Sequence, residues 1–157
     1  MAQLETRRPA MIAALLAAAA VATATPQPQA AAPMDPAAVK AIEAVAYDYV
    51  DGQLEGDPAR VARSLHPDLA KRAVTTNPDE TLALRRMTKE ELVDLTKQGV
   101  LKTPREQWSR SVRVLDIVGN AAVARVETPW FVDYFHLGRF GERWVIVNAL
   151  WYPKPRN

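Results

Sequence analysis

The sequence contains no cysteine. That excludes disulfides, thiolate metal sites and a lipid-modified cysteine. Histidine is almost as scarce. His66 and His136 lie on separate segments with no partner at i, i+4, so a His-based metal centre has no ligand set, and no metal or cofactor is implied. An excess of one charge is missing too: Lys and Arg number 20 against 18 Asp and Glu, a net charge of +2. No basic block is interleaved with aromatics, which argues against a nucleic-acid partner. There is no glycine-rich phosphate loop, since Gly138-Arg139-Phe140-Gly141 has the form of a hairpin turn. Ser64, Ser109 and Ser111 lack the context of a nucleophile elbow.

What is present begins with an export pattern. Arg7 and Arg8 precede an apolar run from Met11 to Val21, followed by Ala22-Thr23-Ala24. A basic start, a short apolar stretch and a small-x-small site predict a signal peptide over residues 1–24, and hence a periplasmic or secreted protein. Ala30-Ala31-Ala32 is an alternative cleavage point. The competing reading is a membrane anchor, but the run is shorter than the roughly 20 residues that span a bilayer. No stable anchor is therefore expected after cleavage. Residues 25–36, rich in Pro, Ala and Gln, predict a disordered leader. One folded domain is expected over residues 37–153, with a tail at 154–157.

Local chemistry marks the elements of that domain. Asp35-Pro36 supplies an N-cap and a first-turn proline for a helix that ends at Gly56. Asp57-Pro58 opens a second, short helix over Ala59 to Leu65, broken by His66-Pro67-Asp68. A weak hairpin follows, Leu69–Val74 with Thr81–Arg86. Thr88-Lys89-Glu90-Glu91 is a capping box for a third helix, stopping at Gly99. From Trp108 to Tyr152 the chain alternates as four strands, with turns at Gly119-Asn120 and Gly141-Glu142. This order predicts an α+β fold in which a curved antiparallel sheet wraps an N-terminal helix layer into a cone.

Periodicity then assigns faces. In the first helix, Lys40, Asp48, Asp51 and Glu55 fall on a polar side, and Ile42, Ala46, Tyr49 and Gln53 on the other. In the third meander strand, Phe131, Asp133, Phe135 and Leu137 share one face. With a tight turn at Gly141, Trp144, Ile146, Asn148 and Leu150 join that face, provided the register does not slip by one residue. The opposite face then carries Trp130, Val132, Tyr134, His136, Val145, Val147, Ala149 and Trp151. Asp133 and Asn148 are polar residues among apolar ones on the inner face, and Tyr49 and Gln53 face them from the helix. One expectation is that together they line a mostly apolar pocket with a few convergent polar groups. The alternative is a filled core in which Tyr49 and Asp133 satisfy each other.

The order of elements resembles the nuclear transport factor 2-like (SnoaL-like) superfamily, of cystatin-like fold. The resemblance is carried by Tyr49 through Gly56-Asp57, Leu65-His66-Pro67-Asp68-Leu69, Ala124-Arg125-Val126, Asp133-Tyr134 and Trp144-Val145-Ile146-Val147-Asn148. It is strongest to the subgroup labelled "Putative lumazine-binding". The resemblance implies a small-molecule ligand, flat and heteroaromatic if the label is apt, and a homodimer formed through the outer sheet face. Tyr49, Gln53, Asp133, Trp144 and Asn148 are the candidate ligand contacts, with His66 and Trp108 at the rim. Trp144 or Tyr49 would be the stacking surface. His66 has a structural alternative, capping the end of the second helix.

The resemblance extends to ketosteroid isomerases of the superfamily, whose helix tyrosine Tyr49 matches as a hydrogen-bond donor to an oxyanion. Their general base lies on the strand after the second helix, where this chain has Lys71-Arg72-Ala73-Val74 and no carboxylate. Asp68 comes too early, at the strand's entry, and Asp133 is an approximate match to a second acid rather than to the base. Without a base in reach, proton abstraction has no agent. The expectation is therefore a binder without catalysis. An enzyme using Tyr49 with Asp68 or Asp133, and an interaction domain without a pocket, stand as alternatives.

Overall fold

The computed structural model describes residues 33–155. The expected signal peptide, residues 1–24, lies outside the described residues, as does the leader up to residue 32. Helix α1 spans Pro36–Glu55, and Asp35 caps it by accepting a hydrogen bond from the Ala37 backbone N–H at 3.0 Å. Gly56 ends it in the left-handed conformation, φ 74°, which a residue with a side chain adopts only with strain. Asp57 then caps α2 (Pro58–Ser64), accepting from Ala59 and Arg60. Two caps this close fold α2 back onto α1. The crossing is tight: a Cβ on Gly52 would lie 2.8 Å from Val61 Cγ2.

The chain continues through β1 (Leu65–Thr76), β2 (Leu82–Met87) and α3 (Lys89–Lys97). Both hydrogen bonds of the α3 capping box form, between Thr88 and Glu91. After a 3-10 turn at Arg105–Gln107 come β3 (Ser111–Val118), β4 (Ala121–Glu127), β5 (Phe131–Phe140) and β6 (Arg143–Pro153). The six strands form one curved, unclosed sheet in the order β2-β1-β6-β5-β4-β3. All pairs are antiparallel except β1 with β6, which run parallel. The core lies between α1 and the inner sheet face. Ile42, Ala46 and Val50 pack with Val126, Phe135 and Ile146. The Tyr49 ring meets Phe135 edge-on, with centroids 4.9 Å apart.

Four sequence expectations need correction. His66-Pro67-Asp68 does not precede the strand but lies within it, because β1 begins at Leu65, directly after α2; the residue before a proline favours extended backbone. Asp51 is buried rather than solvated: α2 covers that side of α1, and Arg60 and Arg110 clasp its carboxylate. Lys154 is not free tail, since its N–H donates to the Trp130 carbonyl at 2.9 Å.

The fourth correction concerns register. Leu137 pairs with Ile146, but His136 pairs with Asn148, leaving Val147 as an extra residue. A bulge of this kind reverses the alternation beyond it. Trp144 and Ile146 point inward as alternation predicts. Past Val147, Ala149 and Trp151 turn inward, and Asn148 and Leu150 turn out to the exposed face.

Candidate functional site

Strands β1 and β5 and helix α1 converge on one polar cluster. Tyr49 projects from α1, Asp133 from β5 and Lys71 from β1, and all three are buried. The Tyr49 hydroxyl donates to Asp133 Oδ2 at 2.8 Å and accepts from Lys71 Nζ at 2.8 Å. Lys71 Nζ also donates to Asp133 Oδ1, completing a closed triangle of charge-assisted bonds. Behind it, Gln53 Nε2 donates to the Tyr49 carbonyl at 3.2 Å.

Register places these groups. Lys71 lies beside Ala149 across the parallel β1–β6 pair, and Asp133 lies opposite Trp151 across β5–β6. The bulge at Val147 is what brings Trp151 to the inner face, where Lys71 Nζ sits 4.8 Å from its ring centroid.

Burial dominates the electrostatics. It drives the Lys71 pKa below its ordinary value, even though Asp133 pulls the other way. Tyr49 is pushed well above the usual phenol value, first by burial and then by the Asp133 charge. A buried pair of this kind is maintained only with good geometry and satisfied hydrogen bonds, and the Tyr49 bridge supplies both.

The triangle forms the floor of a cavity of about 230 Å³. Met87, Leu92, Leu95 and Leu101 make an apolar wall, and Trp130 and Trp151 add flat aromatic surface. Arg85 and Lys154 stand on its margin; Lys154 is tied to Glu127 at 2.8 Å. Arg85 has no carboxylate partner among the described residues, and its guanidinium lies 5.4 Å from the Trp151 ring centroid. The mixture is that of a small-molecule site: apolar walls, few polar groups, one charged cluster.

Tyr49, Gln53 and Asp133 are thus brought to one cavity, and the other candidates are not. Asn148 faces outward because of the bulge. Trp144 is buried but pairs with Arg139 near the far end of β5–β6, away from the cavity. His66 stacks on Phe140, and its Nδ1 accepts from the Asp68 N–H at 3.1 Å, a local turn contact remote from the cavity. The Asp68 side chain is 92% exposed, so it cannot act on a molecule held in the cavity. Trp108 sits between Arg105 and Arg110 and donates to the Thr103 carbonyl at 2.9 Å, pinning the loop after α3. Lys71, Arg85, Trp130 and Trp151 line the cavity without being among the sequence candidates. Among the described residues there is no cluster of metal ligands and no helix long and apolar enough to cross a membrane.

The family model described as "Putative lumazine-binding" matches residues 37–152. The chain belongs to that family. Solved structures agree on the fold. A nuclear transport factor 2-like protein of unknown function from Shewanella baltica OS155 is 23% identical, with a TM-score of 0.62 over 74% of this chain and 94% of that one. One from Methylobacillus flagellatus KT is 22% identical, with a TM-score of 0.63 over 78% and 96%. A ketosteroid isomerase-like protein from Erwinia carotovora atroseptica SCRI1043 is 15% identical, with a TM-score of 0.50 over 78% and 100%. A search of curated proteins finds no match. The chain therefore has a nuclear transport factor 2-like, cystatin-like α+β fold.

Proposed function

We propose that this protein is an exported, non-catalytic carrier or sensor of a small, flat molecule. The observation that carries the reading is the cavity whose floor is the Tyr49–Lys71–Asp133 triangle. Trp130 and Trp151 offer stacking surface to a flat heteroaromatic body, as the family's label suggests. The Lys71 ammonium has three donors and two acceptors among the described residues, which leaves one N–H for a ligand carbonyl or anionic oxygen. Arg85 adds a second cation at the mouth.

Binding without turnover is favoured by what Asp133 is doing. Both its oxygens are engaged, one by Tyr49 and one by Lys71. A carboxylate held this way has no free oxygen to abstract a proton from a substrate carbon, although it can exchange one with the Lys71 amine it already binds. Export rests on the Arg7–Ala24 pattern. Cell fractionation that finds the chain in the periplasm or medium, shortened at its N-terminus, supports it; full-length cytoplasmic protein contradicts it.

A homodimer belongs to the same reading. The outer face exposes Val74, Leu84, Tyr134, Leu150 and Tyr152 across neighbouring strands, an apolar surface that a second copy would cover. Light scattering at micromolar concentration should give twice the chain mass, and a monomeric mass contradicts pairing. The ligand reading itself is tested by native mass spectrometry of protein isolated from the exported fraction, with lumazine titrated against tryptophan fluorescence. A co-purifying molecule or saturable quenching supports it; neither in a folded sample contradicts it.

A further inference from the structure

We propose that Lys71 captures its ligand covalently: its Nζ condenses with the carbonyl group of a small aldehyde or ketone in the cavity to form an iminium. This rests on the cavity being a ligand site and adds the ligand's reactive group.

The argument starts from placement. Lys71 is 5% exposed, and its amine lines an apolar cavity with Phe131 and Trp151 beside it. The other cavity lysine, Lys154, stands at the margin and is bound to Glu127. An amine removed from water in apolar surroundings is more readily neutral and nucleophilic than one at the surface. The groups facing it are Tyr49 from α1, Asp133 from β5 and Arg85 from β2.

Charge conservation is the second leg. Replacing a buried lysine cation with a neutral group would leave Asp133 as an unpaired buried carboxylate, at considerable cost. An iminium keeps the positive charge, and its remaining N–H keeps the bond to Asp133. The covalent product therefore fits the buried electrostatics as the ammonium does, which a neutral amide or an anionic carbamate would not.

The protons also have a route. Asp133 Oδ1, already hydrogen-bonded to Nζ, takes one proton and frees the amine lone pair. That pair attacks the carbonyl carbon, the C–N bond forms, and the C=O π pair moves to oxygen. Asp133 returns the proton to that oxygen, giving a carbinolamine. A second proton passes from nitrogen through Asp133 to the hydroxyl, which leaves as water as the C=N bond forms. Ammonium plus carbonyl gives iminium plus water, and Asp133 ends as it began. Tyr49, which donates to Asp133, holds the carboxylate in place throughout, and its bond from Nζ is given up when the iminium's single N–H stays on Asp133.

The test is reductive trapping on the full chain at neutral pH. Propanal, and separately benzaldehyde, is added with sodium cyanoborohydride, and the adducts are located by peptide mass mapping. The expected result is an alkyl adduct on Lys71 at about tenfold or more the occupancy of exposed Lys40, Lys97 or Lys102. Lys71→Arg should lose that adduct while the surface labelling stays the same. Tyr49→Phe should slow labelling at Lys71 alone. Label spread over the exposed lysines, with Lys71 unmodified in protein whose circular dichroism is native, overturns the proposal. If such protein still retains a non-covalent ligand, the capture fails and the binding reading stands; if it excludes both probe and ligand, both fail.

Discussion

Lys71 and Asp133 form a buried ion pair across a strand, since β6 lies between β1 and β5, which carry them. The pair reaches over Ala149, whose small side chain leaves the space between Lys71 and the β5 residues open. Tyr49 closes the gap from the helix layer. The site is thus also a tie between the helix layer and the middle of the sheet, and substitutions in it affect stability before they affect function.

Lys71→Met should destabilise the fold by about 3–5 kcal/mol, because Asp133 is left charged and unpaired in the core. The double substitution Lys71→Met, Asp133→Leu should recover most of that loss, since no charge is then stranded. Urea denaturation of both variants checks this. If the single and double variants are equally unstable, the pair is not the source of the cost.

Tyr49→Phe removes one hydroxyl from the triangle, and a loss of roughly 1–3 kcal/mol is expected for hydrogen bonds to charged groups. Its alkaline behaviour is more specific. Burial and Asp133 raise the Tyr49 pKa well above its ordinary value. Above about pH 10 the unfolded chain releases this proton while the folded chain keeps it, so the Tyr49 contribution to stability falls as pH rises. Lys71 works in the opposite sense. Its folded pKa is lowered, so its unfavourable contribution is relieved as pH rises toward the ordinary lysine value. Stability measured against pH should therefore decline less steeply above about pH 10 in Tyr49→Phe than in the wild type. A phenol absorbance titration of the wild type should show one tyrosine that ionises only with unfolding.

How much of this was legible in the sequence varies with the kind of signal. Caps and turns are local chemistry, so Asp35-Pro36, Thr88–Glu91 and Gly119-Asn120 mark their elements directly. The bulge at Val147 has no such mark: β6 has neither glycine nor proline there, and its register is set by pairing with β5 and β1. That one residue moved Asn148 out of the site and Trp151 into it. Lys71 is hidden in the sequence for a different reason. In Lys71-Arg72-Ala73-Val74 it looks like part of a solvated basic pair, yet alternation places it with Leu69 and Ala73, both buried. The apolar flanks at i−2 and i+2 were the available signal. Asp51 shows the limit of helix periodicity, because a short following helix can bury a face that the period leaves open.

Gly52→Ala should be destabilising by about 1–3 kcal/mol, as overpacking in a close contact usually is. The added methyl would lie 2.8 Å from Val61 Cγ2 and 3.0 Å from the Val61 backbone nitrogen, so α2 must move away from α1. Thermal unfolding of the variant checks this, and an unchanged midpoint would show that the two helices are less closely fitted than described.

At the cavity margin, Glu127 is held at a pKa of about 2, first by its hydrogen bond to Lys154 and then by Arg125. A carboxylate lowered in this way favours the folded form above its unfolded value, and the effect fades as pH falls toward about 2. Carboxyl chemical shifts in an acid titration should give that low midpoint for Glu127, and Lys154→Ala should raise it toward the ordinary glutamate value. A midpoint unaffected by Lys154→Ala would mean that the lysine does not anchor the rim.

The central claim is that the space above Tyr49, Lys71 and Asp133 receives a molecule, and a blocked cavity tests it most directly. Leu95 lies on the cavity wall, away from the triangle's hydrogen bonds. Native mass spectrometry of wild type and Leu95→Trp, purified in parallel from the exported fraction, should show a bound small molecule on the wild type and an empty, folded variant. Equal occupancy of the two, or no ligand on either at any preparation, would contradict the account.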